Sequence, residues 1–304
     1  MAVRKIGKKR TTKKKQSKTE PTTLSLPTEK KVTEPNFFLY ASLFYGRAGV
    51  GKTTMLSSFP NALMFSCERV SKGIECHDFN WEDGGVHSWD IFLAGVELLE
   101  QTDQFETICI DTIDAAYAHC MDYVCKNKGI EHPQDEGYGK GWAAVKEEFA
   151  STLDRIWATG RGVVFSSHAK EVTITSHSGE EYTRIQPTMS GQAYSYIKAK
   201  SDFVFYCEYV KDRHGRSRRV IFTTGDEIVD AKHAGDLPQY LPLDKSRGVE
   251  VVVDAFCGED VGIPIDDIRP SKETSKSGET VLTKQRLEAA RKNSKKKKLS
   301  RKRG

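Results

Sequence analysis

Gly46, Arg47, Ala48, Gly49, Val50, Gly51, Lys52, Thr53 and Thr54 match G-x-x-x-x-G-K-[ST] at every fixed position, and an apolar run at 37–45 precedes them. Glycines at these places let the backbone curl so that its N–H groups converge on an anion. A lysine next in line reaches the β- and γ-phosphates of a nucleoside triphosphate, and the Thr53 hydroxyl is a hard oxygen ligand for Mg²⁺. The helix that opens at Lys52 turns its positive end toward the same phosphates. The expected ligands are therefore a nucleoside triphosphate and Mg²⁺, held by residues 46–54.

Such a loop must be carried between a strand and a helix, so the reading turns to the elements around it. Apolar runs at 37–45, 62–66, 107–110 and 163–166 read as strands. Between them, 52–58, 89–100, the stretch after Asp111 to about 128, and 142–159 read as helices, the last stopped by Gly160. In the 89–100 helix, Ile91, Leu93, Val96, Leu98 and Leu99 supply the apolar surface. Strands alternating with helices imply a parallel sheet with helices on its faces. Two β-rich runs, 203–209 and 218–223, are joined by a polar turn and read as a hairpin extending that sheet. The run at 250–256 has no assigned place.

Ligands of parallel α/β sheets gather at the carboxyl ends of the strands. The residues there form a constellation: the phosphate loop, then Glu68, then Asp111, then His168. Asp111 follows a four-residue apolar run, as the acidic residue of a Mg²⁺ shell does. Asp114 reads as a cap of the helix that follows. Glu68 is placed to deprotonate an attacking water, and His168 to donate a hydrogen bond to the γ-phosphate. The catalytic set is thus Lys52, Glu68, Asp111 and His168, with Thr53 and Asp111 toward the metal. A GTPase would need glycine at position 114 and an [NT]-K-x-D string after a strand. Neither is present. The 129–141 insert has no Arg, unlike the lid of a small-metabolite kinase.

With these strings in hand the chain resembles the RecA-like ATPase core, and more closely a phage-type P-loop family that includes single-strand-annealing recombinases. The resemblance rests on 45–54, Ser58-Phe59-Pro60, Ile110-Asp111-Thr112-Ile113-Asp114, Gly137-Tyr138-Gly139-Lys140-Gly141 and Ser167-His168-Ala169-Lys170, and covers roughly 36–245. It implies an α/β RecA-like P-loop NTPase with a mainly parallel central sheet and a β-hairpin extension. It also implies ATP as the nucleotide and its hydrolysis, single-stranded DNA as partner, and a homo-oligomer whose sites lie at subunit interfaces. A single-strand DNA-binding or replication protein is a further implied partner. Lys232 falls where relatives carry the first residue of a K-x-R pair that reaches a neighbouring subunit. The second position here is Ala234, so a surface lysine is the other reading. DNA is expected on the long polar loop 169–192, through Lys170 and Arg184. Tyr182, Tyr194 and Tyr196 offer stacking surfaces or, for the last two, helix packing. The alternative function is an ATP-switched assembly or loader protein that does not handle DNA directly. A helicase or packaging motor is a weaker third, because no additional translocation domain is visible.

Charge divides the chain. Residues 1–31 hold 11 Lys/Arg against 2 acidic residues and 271–304 hold 13 against 3, leaving 23 against 37 between them. Both ends lack apolar periodicity, so 1–35 and 269–304 are expected to be disordered basic arms flanking a 36–268 ATPase domain. They suit salt-sensitive contact with nucleic-acid phosphates, or serve as solubilising tails. No apolar run approaches the ~20 residues of a membrane helix. Seven Cys without framework spacing suit a reducing compartment. The expected setting is cytoplasmic, that of the host if the chain is phage-encoded, with no membrane partner.

Overall fold

The computed structural model describes residues 29–30, 36–68, 73–175, 179, 181–264 and 268–269. Two compact units are distinguished, Met1–Pro35 and Asn36–Gly304, and every element below belongs to the second. The two expected arms lie outside the described residues, apart from Glu29, Lys30 and Arg269.

In chain order the elements are β1 (Ser42–Gly46), α1 (Lys52–Leu56), β2 (Ala62–Ser66), β3 (His77–Asp78), α2 (Trp89–Leu99), β4 (Thr107–Asp111), α3 (Ile113–Lys128), α4 (Lys140–Ala158), β5 (Gly162–Ser167), β6 (Ala169–Thr175), β7 (Glu181–Pro187), α5 (Gly191–Lys200), β8 (Phe203–Asp212), β9 (Ser217–Phe222), β10 (Tyr240–Pro242), α6 (Glu250–Phe256) and β11 (Ile268–Arg269). One sheet runs β10-β9-β8-β1-β5-β4-β2-β3, with β11 pairing β8. From β3 to β8 every pairing is parallel; β9, β10 and β11 are antiparallel. The loop-bearing strand β1 thus lies between β8 and β5, followed outward by β4 and β2. This is the RecA-like order, with the expected hairpin extension formed by β8 and β9.

Strand alternation splits the core between the two faces. Leu43 and Tyr45 point to the face covered by α2, α3, α4 and α5, while Phe44 points to the face covered by α1 and α6. On the first face the Trp89 ring stacks on Phe92 at 4.6 Å and meets Phe149 at 6.0 Å. Its Nε1 donates to Glu148 Oε1 at 2.9 Å, tying α2 to α4.

Several expectations differ from what is found. Phe37–Leu39 is one helical turn rather than the start of β1. The Asn36 side chain accepts from the Phe38 N–H, and the Phe37 ring packs on Phe59, Phe203 and Phe256. On α2 the buried residues are Trp89, Phe92, Gly95, Val96 and Leu99, whereas Leu98 is 58% exposed. Within 169–192, β6 and β7 pair antiparallel and α5 begins at Gly191; β6 carries the β-branched run Val172, Thr173, Ile174 and Thr175. The unplaced run at 250–256 is α6.

Removing the Trp89 ring empties the junction of α2, α4 and the sheet. Trp89→Ala is expected to cost about 3–5 kcal/mol of unfolding free energy, measured by chemical denaturation. Trp89→Phe keeps most of the packing and should cost less. Equal, small losses for both would show that this junction does not hold the helical layer.

Candidate functional site at the carboxyl ends of the strands

Gly46 ends β1 and opens the phosphate loop. A Cβ there would stand 2.2 Å from the Cys207 carbonyl oxygen, so only glycine lets β1 run against β8 into the turn. Gly49 and Gly51 have φ of +77° and +113°, conformations that L side chains rarely adopt. The loop's curl is therefore written into glycine positions, and Gly51 delivers the chain into α1. Thr53 and Thr54 are half-buried in the first turn of that helix.

Lys52 is 6% exposed, and its Nζ donates to the carbonyls of Gly46 at 2.8 Å and Arg47 at 3.1 Å. Burial lowers its pKa, and the carboxylates of Asp111, Glu68 and Asp114 oppose that effect. Cys207 also faces it, but burial pushes that thiol up to about 12, so it stays neutral at physiological pH and adds no attraction. Lys52 is thus a cation held in the loop and facing two acids at other strand ends and a third, Asp114, in the first turn of α3.

Those strand ends are knit together by hydroxyls. Glu68, just past β2, accepts a hydrogen bond from Thr112 Oγ1 at 2.8 Å, and His168 Nε2 lies 3.0 and 3.2 Å from its two oxygens. Burial alone would raise the Glu68 pKa. The Thr112 and His168 hydrogen bonds and the charges of His168 and Lys52 outweigh burial and hold it below the ordinary Glu range. Asp111 at the end of β4 accepts from Ser166 Oγ of β5, and its carbonyl accepts from the Cys67 N–H at 2.7 Å.

Asp114 differs from its expected role. Thr112 caps α3 by accepting from the Ala115 N–H, while the Asp114 carboxylate turns inward and accepts from Ser167 Oγ and the His168 N–H, both at 2.9 Å. It fixes the backbone that presents His168. Thr112, Ser166 and Asp114 were not foreseen as the residues that join the strand tips. Their positions beside Asp111 and His168 carried a signal, but a hydroxyl's partner across the sheet is set by register, which motif spacing does not show.

The structure therefore brings Lys52, Glu68, Asp111 and His168 to one edge. The other expected residues lie elsewhere. Lys170 Nζ donates to the carbonyls of Thr188 at 3.3 Å and Met189 at 3.2 Å. Arg184 pairs with Asp230 at 3.3 Å, and Asp230 also receives Lys198 and the Tyr194 hydroxyl, each at 2.6 Å. Tyr194 and Tyr196 are packing residues of α5, the latter donating to Ala150 O and Asp154. Lys232 bridges Val204 through its backbone, at the level of Leu43 on β1 and so below the phosphate loop. Its Nζ donates to the Lys198 carbonyl at 2.8 Å.

Among the described residues no trio of His, Cys, Asp or Glu forms a metal cage. Mg²⁺ beside phosphates needs none, because it keeps waters and takes one or two protein oxygens. The hard oxygens of Thr53 and Asp111, set beside a buried lysine, fit that demand. Among the described residues no helix is long and apolar enough to cross a membrane.

Over 168 residues the chain is 23% identical to the SPbeta prophage-derived uncharacterized protein YorG of Bacillus subtilis (strain 168), a match covering 53% of this chain and 48% of that one. The chain thus spans about half the length of that relative. It is also similar to the crystal structure of a KaiC-like protein from the archaeon Pyrococcus horikoshii OT3, at 12% identity over 67% of this chain and 85% of that one, with a TM-score of 0.38. At that score the likeness adds nothing to the strand order. Residues 40–234, which hold the phosphate loop and every strand tip described above, match the AAA domain family AAA_24. The chain belongs to that family of P-loop ATPases.

Proposed function

We propose that this chain is a Mg²⁺-dependent ATP hydrolase of phage type that binds single-stranded DNA and acts in homologous recombination or strand annealing. The observation that carries the hydrolase reading is the meeting of Lys52, Glu68, Asp111 and His168 at one sheet edge. The likeness to a prophage-derived protein supports the phage setting, and with it the cytoplasm of a host cell. The reading includes homo-oligomers with sites at subunit boundaries; for Lys232 to reach a neighbour's site it would have to leave the Lys198 carbonyl that it engages here. A single-strand DNA-binding or replication protein is a further proposed partner.

In this mechanism the amides of residues 46–54 bind the triphosphate. Lys52 exchanges its own loop carbonyls for the β- and γ-phosphate oxygens, a stronger charge-assisted pairing. Thr53 and Asp111 would hold Mg²⁺, which supplies charge neutralisation at the phosphates. Water attacks the γ-phosphorus and Glu68 takes its proton. The bond from that phosphorus to the β–γ bridging oxygen breaks, giving ADP and phosphate. Glu68 suits the task because it is ionised at neutral pH and half-exposed to water. His168 shares its ring N–H between Glu68 and the γ-phosphate. When the phosphate leaves, His168 returns to Glu68, and the change passes along its backbone to β6.

A second reading, an ATP-switched assembly or loader protein in phage DNA replication, draws on the internal engagement of Lys170 and Arg184, the two cations expected to meet DNA. The two readings separate on whether single-stranded DNA raises the ATP turnover of the full chain.

Glu68→Gln is expected to keep nucleotide affinity and lower turnover by about 10²–10⁴-fold, read as phosphate release beside a nucleotide-binding titration. Unchanged turnover would remove Glu68 from the chemistry. His168→Ala removes a hydrogen bond and a charge that favour the Glu68 carboxylate, so its pKa rises. The acid limb of the kcat–pH profile should then move toward neutral. A limb that stays in place would mean that Glu68 does not set it.

A further inference from the structure

The β8–β9 hairpin has no role so far. Pairing of β8 with β1 ends at Gly46↔Cys207, yet β8 continues to Asp212, so the ribbon runs about 16 Å past the level of the phosphate loop at ~3.3 Å per residue. Its tip reads Lys211, Asp212, Arg213, His214, Gly215, Arg216, Ser217, Arg218, Arg219: five Lys/Arg against one acid, inside the acidic 32–270 segment. By contrast, 169–187 holds two Lys/Arg against three acidic residues.

The tip is built around its one acid. The Asp212 side chain is 6% exposed and accepts from the backbone N–H groups of His214 and Arg216, at 2.8 and 2.9 Å. It also accepts from the Nε atoms of Arg216 and Arg218, each at 3.0 Å. Both guanidiniums are held by that one nitrogen, and their side chains remain 65% and 55% exposed. Asp212 therefore orders the turn and fans the arginine forks outward. β11 pairs with the same stretch, Arg269 opposite Lys211.

At its base the hairpin touches the phosphate loop. Tyr209 and Arg219 are cross-strand partners. The Tyr209 hydroxyl donates to the Gly49 carbonyl at 3.0 Å, and Arg219 Nη1 lies 3.0 Å from where a Cβ on Gly51 would stand.

We propose that residues 211–218 are the grip for the phosphates of single-stranded nucleic acid, and that Tyr209 carries its occupancy to the phosphate loop. This rests on the DNA reading above and moves the interface from the β6–β7 hairpin to the β8–β9 hairpin. Arginine forks match phosphate oxygens two at a time. The turn, 213–218, contains no apolar residue that would enter a bilayer, which disfavours a lipid surface. The Tyr209 ring, 46% exposed, and the exposed His214 ring offer faces on which unpaired bases stack.

The test is fluorescence anisotropy of labelled oligothymidylate with the full chain, Mg²⁺ and a slowly hydrolysed ATP analogue, over a salt series. The triple variant Arg213→Ala, Arg216→Ala, Arg218→Ala is expected to bind at least about tenfold more weakly, with a salt slope shallower by about 2, since each phosphate contact on a single strand contributes ~0.7. The corresponding triple Arg→Lys variant should recover most of the affinity. Arg213→Glu leaves Arg216 and Arg218 in place on Asp212 and should also weaken binding by reversing one charge of the tip, which covers the case in which the triple variant loses its turn. Tyr209→Phe should bind as the wild type does but lose the rise in ATP turnover on adding oligonucleotide; a retained rise would overturn the coupling. If the wild type binds and both the triple Ala and Arg213→Glu variants bind equally well, the hairpin is not the interface. If the wild type binds no oligonucleotide at any salt, the DNA reading itself falls and the hairpin proposal with it. Binding to anionic phospholipid vesicles in place of oligonucleotide would overturn it in favour of a membrane surface.

Discussion

The register of the parallel strands is the constraint from which the site follows. Tyr45 lies opposite Ser167, Ile110 opposite Phe165, and Ser66 opposite Asp111. Because these pairs are level, the chain leaves β1, β2, β4 and β5 at one height, and the next residues of each meet above the sheet. A slip of one residue in any strand would turn its side chains to the other face. It would also withdraw its contribution: the lysine-bearing loop from β1, Glu68 from β2, Asp111 from β4, or His168 from β5. The large buried side chains on both faces, Trp89, Phe92 and Phe149 on one and Phe44, Phe203 and Phe205 on the other, are what make such a slip costly.

Electrostatics then decides what the edge can hold. Lys52 is a buried ammonium satisfied by two carbonyls of its own loop, and three carboxylates face it, Glu68 and Asp111 from strand ends and Asp114 from the first turn of α3. A buried charge with only dipolar hydrogen-bond partners is expensive unless paired, so the arrangement favours an anionic ligand that can replace the carbonyls. The carboxylates have separate tasks because their neighbours differ. Glu68 is drawn to Thr112 and His168, Asp111 to Ser166, and Asp114 to Ser167 and the His168 backbone. Identical functional groups at one edge are thereby sorted by hydroxyl placement.

Much of this was legible in the residues before any coordinates. The phosphate loop, the strands at 62–66, 107–110 and 163–166, and the hairpin after 203 follow from glycine spacing, apolar runs and turn chemistry, all of which are local. What escaped was non-local. Phe37–Leu39 is as apolar as a strand, but Asn36 caps it into a turn and its rings join an aromatic cluster drawn from distant segments. Leu98 looks like a core residue, yet the face of α2 that packs is set by Trp89 and Phe92. The 169–192 stretch has enough polar residues to read as a loop, and its alternation is visible only once β6 has β7 as partner. Lys170 and Arg184 stand out in the sequence by charge alone, and the carbonyls and the Asp230 carboxylate that engage them lie 18 or more residues away in sequence. Asp114 fits a helix cap by position, while its partners on β5 are given only by the fold.

The account reduces to one triphosphate bound at the carboxyl edge by groups from four strands. A structure of the chain with Mg²⁺ and a non-hydrolysable ATP analogue tests that most directly. Lys52 Nζ should leave the carbonyls of Gly46 and Arg47 and stand within about 2.7–2.9 Å of β- or γ-phosphate oxygens, with Glu68, Asp111 and His168 facing the same terminal phosphate. A nucleotide bound elsewhere, or bound in the loop with Lys52 still on its carbonyls and Glu68 turned away from the terminal phosphate, would contradict it.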